Sequence, residues 1–180
     1  MYDRADALSR PKSPVRALVL MSALTATLGF SFAAPAEARR EQSRMDKGER
    51  RVMRAINRIR VGHGLRRLKS DRALSRAAHH HTTDMLRADF FSHNSSNGAS
   101  FSSRVHRFSP RPARLGENLA WVSGVGKRGV AGRIVSMWMN SPGHRAMILA
   151  PQFRRVGVAR RSGAIGSLRA IVFTVDFASG

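Results

Sequence analysis

"AIVFTVDFA", residues 170 to 178, is the stretch on which the fold turns. Ile171, Phe173, Val175 and Phe177 alternate with Val172, Thr174 and Asp176, the period-two pattern of a β-strand. β-Branched and aromatic residues dominate both sets, which suits a pleated surface better than a helix. Upstream, "RRVGVA" at 154 to 159 reads as a second strand, and the glycine-containing stretch Ser162 to Ser167 as the turn between them. An antiparallel hairpin is therefore expected to close the chain.

Everything ahead of that hairpin has a longer period. Val52, Ile56 and Ile59 recur at helical spacing and end at the Gly62-His63-Gly64 break. Leu74, Ala78, His81 and Met85 form one stripe of a second helix, which places His81 inside and the arginines at 72, 76 and 87 towards solvent. From Ser92 to Arg114 the chain is rich in Ser, Asn, Gly and Pro, with a short helix expected around Phe101 to His106. Val130, Ile134 and Trp138 mark a third helical face. Ser141-Pro142 stops it and starts the next helix, Ser as N-cap and Pro at the first helical position. Helices first and an antiparallel sheet afterwards make an α+β domain.

The length of 180 residues suits one domain with a real core, and 42% hydrophobic with 24% charged residues excludes a disordered or fibrous chain. At the N-terminus, Arg10, Lys12 and Arg16 precede an apolar run from Ala17 to Ala34, and Ala36-Glu37-Ala38 supplies a small-x-small cleavage pattern. Residues 1–38 are read as a signal peptide cleaved after Ala38, 39–45 as a linker and 46–180 as the domain. The competing reading of the apolar run is an uncleaved anchor, weakened by its Ser, Thr and Gly interruptions. Export would end in the periplasm, at a wall or in the medium.

No cysteine is present, so the core stands without disulfides, and thiolate chemistry and a lipidated cysteine are excluded. The formal charge is +21; loss of residues 1–38 takes away four basic and three acidic residues and leaves +20. Such a field draws in anionic envelope polymers or lipids. Nucleic acid is not expected, because its binding calls for aromatics interleaved with the basic residues. Arginine outnumbers lysine 28 to 4, so a drift in base composition accounts for the charge as readily as a binding face does.

Three stretches carry candidate chemistry: "FFSHNSSNG" with His93, "GENLAW" with Glu117, and "SPGHRAMIL" with His144. Two imidazoles and a carboxylate are natural ligands for a divalent metal, although the three are scattered over 52 positions with no local ligand motif. His144 falls in the first turn of a helix, where the positive helix end favours its neutral form. The alternative is that it only caps the helix. The triplet His79-His80-His81 is rejected as a metal tract, because consecutive helical side chains diverge. His81 is expected inside and hydrogen-bonded, His80 paired with Asp84 one turn on, His63 and His106 in solvent, and Trp121 and Trp138 in the core. No Gly-x-Ser-x-Gly elbow and no phosphate-cradling glycine loop occurs.

Taken in order, "NRIR", "GLRRLKSDRALSRAAHHHTTDML", "FFSH", "NGASFSSRV", "GENLAW", "MWMNSPGHRAMIL", "FRRVGVA" and "FTVDFA" resemble the bacterial branch of the CAP (SCP-like) superfamily. Its relatives include cysteine-rich secretory proteins, plant pathogenesis-related proteins and venom antigens. The resemblance runs from about Asp46 to Phe177. It implies a three-layer α-β-α sandwich with a central antiparallel sheet and a cleft lined by two histidines and two acidic residues. Matched motif by motif, the cleft receives His93, Glu117 and His144, while the second acidic position falls on Ser141. Three tentative metal ligands remain, with zinc the candidate cofactor. Members of the family are credited with sterol or fatty-acid binding, and some with zinc binding or proteolysis.

Two functions fit these residues. The first is a secreted, monomeric, non-catalytic binding module at the cell envelope or outside the cell, holding a small hydrophobic ligand such as a lipid or sterol. The alternative is a divalent-metal-dependent hydrolase or protease using His93, Glu117 and His144, with Glu117 and His144 as its catalytic groups.

Overall fold

Both faces of the closing strand are buried, and the layers follow from that. A computed structural model describes residues 45–124, 126 and 129–180. The expected signal peptide with its cleavage site, and residues 39–44 of the expected linker, lie outside the described residues. The elements run α1 (Lys47–Gly62), β1 (Lys69–Ser70), α2 (Arg72–Arg87), α3 (Phe101–Phe108), β2 (Leu115–Ser123), α4 (Val130–Asn140), α5 (Pro142–Leu149), β3 (Phe153–Ile165) and β4 (Leu168–Ser179). Among the described residues, no helix is long and apolar enough to cross a membrane.

The four strands lie in the order β1-β3-β4-β2. β4 pairs antiparallel with both β3 and β2, and only the two-residue β1, which the sequence does not signal, joins in parallel. The hairpin turn is tighter than the Ser162–Ser167 stretch suggested: β3 runs on to Ile165, which faces Leu168, and Gly166 takes φ +55° in the turn. Glycine adopts that left-handed backbone without steric cost.

One sheet face presents Phe173, Val175 and Phe177 to Val52 and Ile56 of α1, Ile134 and Trp138 of α4, and Ile148 of α5. The opposite face presents Val172 and Ala170 to Met85 of α2, and Ala178 to Leu74 of α2 and Val105 of α3. A strand buried on both sides reads as a nearly continuous apolar run, as this one does. The expected α-β-α sandwich is the fold.

Local signals set the helix ends. Asp46 and Glu49 form a capping box on α1, with the side chain of each accepting from the backbone N–H of the other at 2.7 Å. Near the far end of α1 the buried Arg60 donates to the carbonyls of Arg66, Ile148, Ala150 and Phe153. One guanidinium thus ties α1 to the loop between α5 and β3. Trp138 is in the core as expected and donates to the Leu119 carbonyl at 3.0 Å.

Helix α2 lies so close to β3 that a Cβ on Gly157 would stand 2.2 Å from the Leu74 carbonyl carbon. Backbone cannot retreat as a flexible side chain can. Gly157→Ala is therefore expected to cost ~1–3 kcal/mol or more by overpacking. Gly132→Ala, where an added Cβ meets nothing within 4 Å on α4, should instead stabilise by up to ~1 kcal/mol through helix propensity. Thermal or urea unfolding of the two variants measures the contrast; equal shifts would refute the close approach of α2 to β3.

Candidate functional site

Strand β2 is at the sheet edge, and alternation sends its neighbouring residues to opposite layers. Glu117 turns towards α2 and α3, with 1% of its side chain exposed. One carboxylate oxygen accepts from His93 Nδ1 at 2.8 Å; the other is paired with the buried Arg104 of α3. Arg104 also donates to the His93 carbonyl at 2.9 Å and to Ser95 Oγ at 3.3 Å, so the same guanidinium holds the loop that carries His93. Arg104 can reach inward because it sits three residues after Phe101 and just before Val105, on the buried face of α3.

Asn118 is fully buried and points the other way. Its amide donates to the His144 carbonyl at 3.1 Å, fixing the first turn of α5 against β2. Ser141 is at the N-cap of α5, as the sequence indicates, but its hydroxyl makes no bond to the helix backbone. That hydroxyl instead meets His144 Nδ1 at 2.9 Å. The two imidazoles therefore each engage Nδ1 internally, His93 with Glu117 and His144 with Ser141.

The two rings differ in proton affinity. The hydrogen bond to Glu117, reinforced by its charge, raises the His93 pKa above its ordinary value against the opposing effect of burial. Burial lowers that of His144, and the charge of His93 pushes in the same direction. The neutral form expected of His144 is the favoured one, although desolvation and its partner histidine are the causes. Behind Glu117, register pairs it with Asp176 of β4, which is completely buried. Neither oxygen of Asp176 finds a hydrogen-bond donor among the described residues. Burial first, and the neighbouring Glu117 second, raise its pKa well above the ordinary aspartate value. Protonation supplies the donor that two facing carboxylates lack.

The sequence profile of the cysteine-rich secretory protein family (CAP) matches residues 53–177, most of the described part of the chain. The chain belongs to the CAP family. Among curated relatives, Bacillus subtilis YkwD is 34% identical over 118 residues, 65% of this chain and 44% of that protein. The Bacillus subtilis membrane protein YlbC is 33% identical over 110 residues, 61% of this chain and 30% of that protein. The chain thus spans less than half the length of either. An outer surface protein of Borrelia burgdorferi superposes with a TM-score of 0.63 at 21% identity, covering 75% of this chain and 96% of that one. An extracellular SCP-domain protein of Bacillus anthracis gives 0.59 at 28% identity, covering 74% of this chain and 40% of that one.

Within the CAP domain, the sequence-derived site assembles as two contacts: His93 with Glu117, and Ser141 with His144. Among the described residues no group of three or more His, Cys, Asp or Glu side chains is placed to hold a metal ion. Each Glu117 oxygen already accepts one hydrogen bond, from His93 and from Arg104, and each cleft histidine engages its Nδ1, so the Nε2 atoms are the imidazole nitrogens left over. Glu117 is the third residue of β2.

The histidine triplet diverges as argued. His79 Nε2 lies 3.2 Å from Glu49, His80 packs against Phe108 with ring centroids 5.7 Å apart, and His81 Nε2 meets the Ser92 carbonyl at 2.8 Å. His80 does not pair with Asp84, whose carboxylate accepts from Ser96 N and Oγ at 2.9 and 2.6 Å. Sequence reasoning missed Arg104, Asn118 and Asp176. An arginine sharing the helical face of Phe101, Val105 and Phe108 was a readable signal for the first; an acid in a strand apolar on both faces was one for the last.

Two measurements check this electrostatic scheme. In an NMR titration His93 should titrate above 6.5 and His144 below it, the ordinary histidine value. Glu117→Gln should bring His93 down; an unmoved His93 would break the assignment. Asp176 binds its proton more tightly in the folded chain than in the unfolded one. Its contribution to stability is therefore present below 3.8, the ordinary aspartate value, and is lost as pH rises through the folded value. Asp176→Asn, neutral at every pH, should flatten that fall in denaturation curves; parallel curves for the two proteins would contradict it.

Proposed function

We propose that this chain is an exported CAP module that binds an anionic amphiphile at the cell envelope and performs no hydrolysis. The observation that carries the reading is the burial of Glu117 with a partner on each oxygen. A general base must face the proton it takes, and this carboxylate is buried with one oxygen on Arg104 and the other on His93. The hydrolase reading, with Glu117 and His144 as catalytic groups, lacks a free carboxylate on which to run.

A second feature supports the ligand class. A cavity of about 510 Å³ lies between α1 and α4, floored by Ala55, Val130 and Phe173 and rimmed by Arg51, Arg54, Arg58 and Arg160. An apolar floor beneath a cationic rim is complementary to a fatty acid or phospholipid, chain inward and head group to the arginines. The signal peptide read at residues 1–38 and the +20 charge of the remainder support delivery to an anionic surface. CAP neighbours described as outer-surface or extracellular proteins point to the same compartment.

The test is direct binding by the full chain. It should co-sediment with phosphatidylglycerol vesicles at low salt, leave them at high salt, and ignore phosphatidylcholine vesicles. A fluorescent fatty acid should bind saturably, with Arg54→Ser/Arg58→Ser weakening it roughly tenfold and Glu117→Gln leaving it unchanged. Hydrolytic turnover that disappears in Glu117→Gln, or absence of fatty-acid binding, would reverse the assignment.

A further inference from the structure

On the other face of the sheet a second cavity, of about 320 Å³, opens between α2, α3 and β3. Arg160 and Arg161 are adjacent in β3, and strand alternation sends the first to the α1/α4 groove and the second to this cavity. Arg76, His80, Thr83 and Arg87 recur at i, i+4, i+7 and i+11 on α2 and share one stripe of that wall. Phe108 of α3, against which the His80 ring packs, closes one side.

The charges here are not balanced from within. Arg76, Arg87 and Arg161 take part in no ion pair among the described residues. The single carboxylate of the wall, Asp84, is committed to Ser96 through both oxygens. His79 lines the same cavity. Its Nε2 is held by Glu49, and its Nδ1 is buried without a partner among the described residues. Three guanidinium forks and the Thr83 hydroxyl line one concavity whose single carboxylate is already committed to Ser96.

We infer that this cavity is a binding site for a phosphate monoester or diphosphate group, separate from the CAP cleft and from the α1/α4 groove. The argument for phosphate over a carboxylate is charge and shape. Guanidinium forks bind the oxygen pairs of a tetrahedral oxyanion two at a time, and a doubly charged group offsets more of three cations than a single carboxylate does. The volume exceeds that of the anion alone, and the Phe108 and His80 rings offer an aromatic wall to whatever the phosphate is attached to. The site is recognised by its concavity and by the convergence of three arginines from α2 and β3 on it, which a flat solvated cationic face of a +21 chain does not offer.

The test is isothermal titration of inorganic pyrophosphate into the full chain at low ionic strength. Three proteins are compared: the unaltered chain, Arg76→Ser/Arg161→Ser, and Arg67→Ser/Arg133→Ser, which removes two exposed arginines elsewhere and matches the change in net charge. Saturable binding is expected in the first and third, with a loss of roughly tenfold or more in the second. Circular dichroism of all three confirms that the fold survives. Equal weakening in both variants, or no saturable binding, overturns the site, because the attraction would then be net charge alone. Vesicles bearing phosphatidic acid, run against the same proteins, separate the sources. A selective loss there assigns a lipid head group, and a loss confined to pyrophosphate assigns a soluble phosphorylated ligand.

Discussion

A carboxylate withdrawn from water has to be balanced by groups that come to it. Glu117 is the point in this fold where that requirement is met, by Arg104 on one oxygen and His93 on the other. A buried pair of this kind contributes little net stability, since desolvation offsets most of the attraction, but removing one partner is expensive. The arrangement therefore fixes geometry more than it adds strength. It seats α3 against the sheet, it holds the 88–100 loop through the His93 carbonyl, and the charge of Glu117 adds to burial in raising the proton affinity of Asp176 beside it. The family site is built outward from that pair, with Asn118 carrying the same strand's hold to α5 on the other layer.

Arginine does two kinds of work in the chain. Arg60 and Arg104 are buried, and each spends its donors on several acceptors, four carbonyls in one case and a carboxylate, a carbonyl and a hydroxyl in the other. Lysine, a point charge with three donors, would not span such sets. Other arginines line two cavities on opposite faces of the sheet.

The layers were legible because their signals are local and periodic. The alternation from Ile171 to Phe177 marked β4, the helical stripes of α1, α2 and α4 marked their inner faces, and Ser141-Pro142 marked the α4/α5 boundary. β1 left no trace, because two exposed residues held only by their pairing to β3 carry no pattern. The site was half legible. His93, Glu117 and His144 were named from family motifs, but which atoms meet depends on the β2/β4 register and on the rotation of α3. Neither is written in any short stretch. Of the three residues assigned by resemblance as metal ligands, His93 and Glu117 share a hydrogen-bonded network with Arg104 while His144 bonds Ser141, and the block "NGASFSSRV" that contains Arg104 does not say which carboxylate it meets 13 positions on.

The edge position of β2 bears on the order in which the molecule can be completed. Its sole neighbour in the sheet is β4, the last strand in sequence order. Helices α1 and α2 have local contacts from the outset, whereas the strand carrying Glu117 has no ladder to join until residues 168–179 have been made. During synthesis the site is thus the final part to close, and a nascent chain that stops short of β4 holds nearly every motif of the family with no cleft. Long-range pairing of this kind slows folding, because the intervening segment must be ordered before the pairing rewards it.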